Sequence, residues 1–389
     1  MARILIGVTG SVALYKSLNV IRLLEKQGYE VKVVLTPSAE KFISGLLFSS
    51  VMKGQVYTDT DYWKYGKSLH IELARWAEVI AVVPCTANTL SKIRYSLSDN
   101  LLTALILAFK GPILLAPSMH EEMWHNPEVQ ESVKYLKEAR NVFFSGPGKG
   151  PLASGESGCG RLYDEEFIVE DIISLLKGRP LRGISVLVSY GRTEEPMDVV
   201  RVITNKSSGT MGFYLSRKVL EYGGNLYQVV GETSIPPYGR GHIFRVKTAE
   251  EMYEQIKKLL HEVKVLIMAA AVSDYKPEKY VDRKIKKQDR MQIELVKTID
   301  ILSELSREKR EGQIFVGFAL ESDNLVEYAK MKMKQKNLDL IVGNYPDAMG
   351  SDFSSGVIID RNGSIEEFNS ITKEALSDII IQKVLDLLK

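Results

Sequence analysis

Short apolar runs that end in clusters of Gly, Ser, Thr and Asn, followed by apolar residues at helical spacing, recur along the whole of this chain. The first is Arg3–Val8, which leads into Thr9-Gly10-Ser11 and then a helical pattern over 12–24. Residues 31–35, 78–84 and 112–116 repeat the arrangement. Unbroken apolar runs bounded by turn residues mark strands buried on both faces, and such strands alternating with helices form parallel sheets. The expected fold class is therefore α/β. A strand, a tight glycine turn and a helix start also present backbone N–H groups to a phosphate.

A chain of 389 residues exceeds one ordinary core, so two domains of about 180 to 200 residues are expected. The joint falls where Lys177-Gly178-Arg179-Pro180-Leu181-Arg182-Gly183 interrupts the pattern before a fresh strand at 185–189. This gives domains 1–177 and 184–389, with 178–183 as linker. The net charge of +2 does not suggest nucleic acid. No apolar run has membrane-spanning length, no signal-peptide core is evident, and Cys85 and Cys159 are too few for a disulfide framework. A cytoplasmic protein is expected.

The first half suits a mononucleotide better than a dinucleotide. The turn at Gly10 and Ser11 is not GxGxxG, and the strand at 31–35 ends in Thr36-Pro37-Ser38, with no carboxylate for an adenosine ribose. Thr86 and Asn88, just past the strand at 78–84, suit a flat ring with polar edges, and Cys85 reads as packing. Ser68 can cap a short helix with His70 in its first turn. His120 and His125 are five apart and share no helix face, so a zinc site is rejected. Residues 146–160 hold six glycines, which predicts a loop because ordering so much glycine is entropically costly. A thiol at Cys159, between two glycines in that loop, reads either as a residue with a chemical task or as an incidental one.

The second half restarts the alternation. Residues 204–212, TNKSSGTMG, crowd small hydrogen-bonding groups at a helix start, although GxxxxGK[ST] is absent. After the strand at 263–269, residues 276–290 hold seven Lys or Arg against three acids: a solvated face, or a flap over a polyphosphate. Thr298 is expected to cap the helix beginning near 299. The lysines at 330, 332, 334 and 336 alternate faces, and Arg361-Asn362-Gly363 predicts a hairpin with a type I′ turn.

Eight runs in order carry a family resemblance: GSVALYK, SLHIELARWAE, PCTANT, PSMHEEMW and SGESGCGR, then TNKSSGTMG with AAAVSDY and KIKK. The chain resembles the bifunctional phosphopantothenoylcysteine decarboxylase/phosphopantothenate-cysteine ligase family of coenzyme A biosynthesis. The resemblance implies two Rossmann-like domains, an FMN-binding flavoprotein domain and a nucleotide-binding ligase domain. It places Gly10, Ser11, Thr36, Ser38, Thr86 and Asn88 around FMN, His70 as base, Cys159 as proton donor, and Met119 and His120 on the substrate. His120 stands where the family commonly has asparagine. In the ligase it places Met268, Ala269, Ala270, Asp274, Lys284, Ile299, Asp300, Ile301, Leu302, Phe318, Lys332 and Lys336 around CTP, with Lys284 and Asn205 catalytic and Asn205 on the acyl intermediate. Mg²⁺ with the triphosphate, 4′-phosphopantothenate and cysteine as substrates, and a homododecamer of trimers are further implications; the Mg²⁺ ligands are left open.

Other readings are a flavoprotein acting on peptide C-terminal cysteines, which leaves 184–389 without a task, and a non-catalytic regulatory relative, which would be expected to lack His70 or Cys159 together with the ligase half, all of which this chain has. A nicotinamide dehydrogenase is disfavoured by the missing acidic strand end.

Overall fold

The structure is a computed structural model that describes all residues except 65–67, 139–140, 152–153, 288 and 347–350. The chain divides into two compact units, Met1–Gly178 and Arg179–Lys389.

In the first unit, β1 (Arg3–Val8), β2 (Glu30–Leu35), β3 (Val56–Tyr57), β4 (Val79–Cys85), β5 (Ile113–Pro117) and β6 (Val142–Phe144) form a parallel sheet ordered β3-β2-β1-β4-β5-β6. The order reverses between β1 and β4, which opens a crevice beyond their carboxyl ends. The apolar runs are continuous because both faces are covered. Ile4, Ile6 and Val8 pack with Val20, Ile21 and Ile168 on one side, while Leu5 packs with Ile80, Leu102 and Leu105 on the other.

The glycine-rich stretch corrects the loop expectation. β7 (Gly148–Pro151) and β8 (Ser157–Arg161) pair antiparallel, with Lys149 opposite Cys159 and Gly150 opposite Gly158. A two-strand hairpin outside the main sheet tolerates glycine, and here the glycines have positional work. Gly160 has φ +143°, and a Cβ there would run into the Met119 carbonyl.

The second unit contains β9 (Ser185–Tyr190), β10 (Glu194–Pro196), β11 (Val202–Thr204), β12 (Asn225–Val230), β13 (His242–Arg245), β14 (Val265–Met268), β15 (Tyr275–Pro277), β16 (Leu295–Lys297), β17 (Ile314–Leu320), β18 (Leu340–Asn344), β19 (Phe353–Asp360) and β20 (Ile365–Thr372). Its main sheet runs β13-β12-β9-β14-β17-β18-β19-β20, parallel as far as β18 and antiparallel beyond. The order reverses between β9 and β14. Gly212 in the helix Thr210–Glu221 lies against Tyr190 so closely that a Cβ would collide with that side chain, which seats the helix start directly on the end of β9.

Two local expectations are corrected in this unit. Asp300, not Thr298, caps the helix Ile301–Arg307 by accepting the Ser303 N–H at 3.2 Å. The Thr298 hydroxyl is committed to the Ser273 carbonyl at 2.5 Å. The 360–364 turn joins β19 to β20 as expected, but only Gly363 is left-handed, at φ +84°. A type I′ turn needs two such residues. Asp360 Oδ1 instead accepts the N–H groups of Asn362 and Ser364 at 2.8 and 3.1 Å, an aspartate-stabilised turn.

Candidate active sites

Four helix starts converge at the crevice of the first unit. The Ser11 hydroxyl accepts the Ala13 N–H at 3.3 Å. Thr36 and Thr86 cap the helices Pro37–Glu40 and Ala87–Arg94, accepting from Ala39 and Thr89 at 3.4 Å each. Asn100 and Thr103 form a reciprocal capping box at the start of Leu101–Ala108. The Thr9 hydroxyl donates to the Pro84 carbonyl at 2.8 Å and accepts from Thr86 N–H at 3.2 Å, tying the ends of β1 and β4 together. A Cβ at Gly10 would stand 2.7 Å from Ser38 Cβ, so glycine is what allows these two turns to approach. The resulting cavity of about 530 Å³ is lined by Gly10, Ser11, Thr36, Ser38, Thr86 and Asn88, joined by Met119, Ser118, Asn100, Lys92 and Asp99. Hydroxyls, amides and helix N-termini fit a phosphate-bearing, polar-edged ring. Cys85 ends β4 fully buried, and burial pushes its thiol up to about 12, so it packs and does not react.

The hairpin docks on the segment after β5. Glu121 Oε1 accepts the Cys159 N–H at 2.9 Å, and Met119 N–H donates to the Gly160 carbonyl at 2.9 Å. A Cβ at Gly158 would overlap the Glu121 carboxylate. His120 caps the short helix Glu121–Trp124, with Nδ1 accepting the Glu122 N–H at 3.3 Å. That fixes the proton on Nε2, which donates to Glu156 Oε2 at 2.9 Å. His120 thus holds the hairpin through Glu156. His70 lies in the helix Leu69–Trp76, edge-on to Tyr62 with ring centroids 5.5 Å apart. Its Nδ1 is buried with no hydrogen-bond partner among the described residues. Neither His70 nor Cys159 lines the 530 Å³ cavity.

The second unit has its own cavity, of about 800 Å³, at the carboxyl ends of β14, β17 and β18. It brings together Asn205, Met268, Ala269, Ala270, Asp274, Ile299, Asp300, Ile301, Leu302, Phe318, Lys332 and Lys336. Lys284 is exposed and outside this lining. Its segment is pinned, since the buried Asp198 accepts the Ile285 N–H at 3.0 Å and Arg201 donates to the Ile285 carbonyl at 3.3 Å. Asn205 Nδ2 donates to the Ala271 and Val272 carbonyls at 3.3 and 3.0 Å, so its Oδ1 remains as an acceptor. Burial, then the charge of Lys336, holds the Lys332 ammonium below its ordinary value. Lys336 pairs with Asp300 at 2.8 Å. Burial works against ionising Asp300, but the hydrogen bonds from Lys336 and Ser303 outweigh it and keep the carboxyl below its usual range.

Residues 1–177 match the Flavoprotein family, and residues 181–388 match the family described as DNA/pantothenate metabolism flavoprotein C-terminal domain. The coenzyme A biosynthesis bifunctional protein CoaBC of Borreliella burgdorferi is 36% identical over 383 residues, covering 97% of this chain and 98% of that one. The chain belongs to the CoaBC family. The Bacillus subtilis CoaBC protein is 36% identical over 397 residues, covering 99% of this chain and 97% of its own. A crystal structure of the C-terminal domain of a CoaBC protein, 30% identical, covers 54% of this chain and 98% of its own with a TM-score of 0.47.

As a CoaBC family member the chain is a bifunctional enzyme of coenzyme A biosynthesis, with a flavoprotein unit of decarboxylase type and a ligase unit. Some lining residues escaped the sequence reading. Asn100 in the first cavity and Lys297, Asn344, Ser354 and Lys373 in the second belong to none of the site residues expected from sequence.

Proposed function

We propose that the second unit joins cysteine to 4′-phosphopantothenate with CTP and that the first unit decarboxylates the product on FMN, giving 4′-phosphopantetheine. The supporting observation is that each unit builds a separate cavity, one lined by Gly10, Ser11, Thr36, Ser38, Thr86 and Asn88 and the other by Asn205, Asp274, Lys332 and Lys336.

Amide formation from a free carboxylate is uphill. In the ligase step a carboxylate oxygen attacks the α-phosphorus of CTP, the bond to pyrophosphate breaks, and the cysteine amine then displaces CMP from the acyl carbon. The N–H groups at the start of Thr210–Glu221 and the ammonium groups of Lys332 and Lys336 suit the phosphates. Lys284 closes from its pinned flap to steady the phosphate charge. Asn205, with its N–H groups already used, takes an N–H or O–H of the acyl chain on Oδ1. Mg²⁺ arrives with the triphosphate; among the described residues no group of three or more His, Cys, Asp or Glu is placed to hold a metal.

In the first unit Gly10, Ser11, Thr36, Ser38, Thr86 and Asn88 would hold FMN, which would supply a reversible two-electron sink, taking two electrons so that the cysteine carboxylate can leave as carbon dioxide and giving them back to the product. His70 takes the substrate thiol proton, and Cys159 on the docked hairpin returns one after carbon dioxide has gone. Met119 and His120 position the substrate beneath that hairpin. Among the described residues no helix is long and apolar enough to cross a membrane; a cytoplasmic location is part of this reading. Homo-oligomers are too, supported by the exposed Leu46 and Trp63 of the first unit, 75% and 80% accessible.

The test is incubation of the full chain with 4′-phosphopantothenate, cysteine and either CTP or ATP, with mass analysis. Phosphopantothenoylcysteine and then 4′-phosphopantetheine are expected with CTP. A preparation that forms no amide with either nucleotide, or binds no FMN on reconstitution, refutes the assignment.

A further inference from the structure

Lys373 is 93% buried, being 7% accessible, yet it lines the 800 Å³ cavity. It is the first residue of the helix Lys373–Leu388, and Thr372 caps that helix by accepting the Ala375 N–H at 3.2 Å. Among the described residues its Nζ makes no ion pair or hydrogen bond. Burial holds the ammonium below its ordinary value, opposed only by the longer-range attraction of Asp352. A largely buried lysine whose ammonium reaches a cavity without a partner is placed to receive an anion there.

Two further side chains of the lining define what that anion meets. Ser354 donates its hydroxyl to Asn344 Oδ1 at 3.0 Å. The acceptor of the Asn344 amide is thereby occupied, and its N–H groups remain. Ammonium, amide N–H groups and a helix start are all donors, a set that rejects cations and neutral acceptor-poor groups. The lining as a whole sets Lys297, Lys332, Lys336 and Lys373 against Asp274 and Asp300, and Asp300 is already paired with Lys336.

We infer that Lys373 and Asn344 form a phosphate subsite of the ligase cavity, separate from Lys332 and Lys336, that receives a phosphoryl group of one of the two phosphorylated substrates. A compact ammonium suits a phosphate, which it meets as a point charge. The inference rests on the ligase reading of this unit. It adds a residue from the end of the chain, where no phosphate motif occurs.

The experiment compares the full chain with Lys373→Met and Lys373→Arg. KM is measured for the nucleotide, 4′-phosphopantothenate and cysteine in turn, with decarboxylation of phosphopantothenoylcysteine as the internal control. Loss of one charge-assisted contact predicts a rise on the order of 10-fold in KM for one phosphorylated substrate in Lys373→Met, with partial recovery in Lys373→Arg. A rise for the nucleotide identifies the triphosphate; a rise for phosphopantothenate identifies its phosphate. Unchanged values for both, or a rise confined to cysteine, overturn the inference. Thermal unfolding in inorganic phosphate and pyrophosphate reads the subsite without turnover. Wild type should be stabilised more than Lys373→Met, and equal shifts overturn the inference. A wild type that is stabilised through Lys373 but ligates nothing would refute the ligase reading and leave the subsite standing.

Discussion

The Glu121 carboxylate accepts the backbone N–H of Cys159 at 2.9 Å. A side chain from the segment after β5 thus sets the position of the hairpin strand that carries the thiol. Because the contact is to the backbone, it fixes the strand whatever side chain position 159 bears. Gly158 has no Cβ to keep the carboxylate away. Glu121→Ala removes the acceptor and leaves that N–H to water. Decarboxylation should fall on the order of 10-fold, consistent with a charged hydrogen bond worth about 1.5–3 kcal/mol. Flavin absorbance and ligation should be unchanged. Stopped-flow decarboxylation with a parallel amide assay checks both; an unaltered decarboxylation rate would remove Glu121 from the positioning role.

Cys159→Ser should bind flavin and release carbon dioxide yet fail to complete the reduced product, because an alcohol is a much weaker acid than a thiol. Mass analysis of the product distinguishes the two stages. Full turnover by the variant would pass proton delivery to another group on the hairpin. Ser154, whose hydroxyl donates to Glu156 at 3.3 Å, would be the first to replace by alanine.

Lys332 gives a pH dependence whose sign is fixed by its depressed folded value. Between that value and the ordinary 10.5, the unfolded chain binds the proton and the empty folded protein does not. The stability of the ligand-free protein therefore rises with pH across this window as the unfavourable buried charge is lost. Nucleotide binding needs the charged form and should run the other way, with KM for the nucleotide climbing as pH rises through the depressed value toward 10.5. Lys332→Arg, which stays protonated, should flatten that alkaline limb. Identical pH profiles for wild type and Lys332→Arg would show that another group controls it.

The fold was legible because its signal is local. The run from Ile4 to Val8 is apolar at every position except Gly7, so it could only be a strand covered on both faces. The glycine stretch misled because composition measures the cost of ordering but not what repays it, here the docking of Gly158 and Gly160 on Glu121 and Met119. Thr298 and Asp300 are both reasonable caps by residue type, and only the fold shows that Thr298 is already taken by Ser273. Lys373 was invisible as a site residue. It shares a cavity lining with Asn344 and Ser354 only after three separate segments converge, and no spacing along the chain encodes that.

The burial of Cys85 at the end of β4 has a practical corollary. A maleimide dye added to the native enzyme would find that sulfur shielded and its thiolate suppressed, leaving Cys159 as the addressable position. The wild-type chain is in effect a single-label protein. Fluorescence from that label would report on the surroundings of the hairpin without first engineering a cysteine-free background.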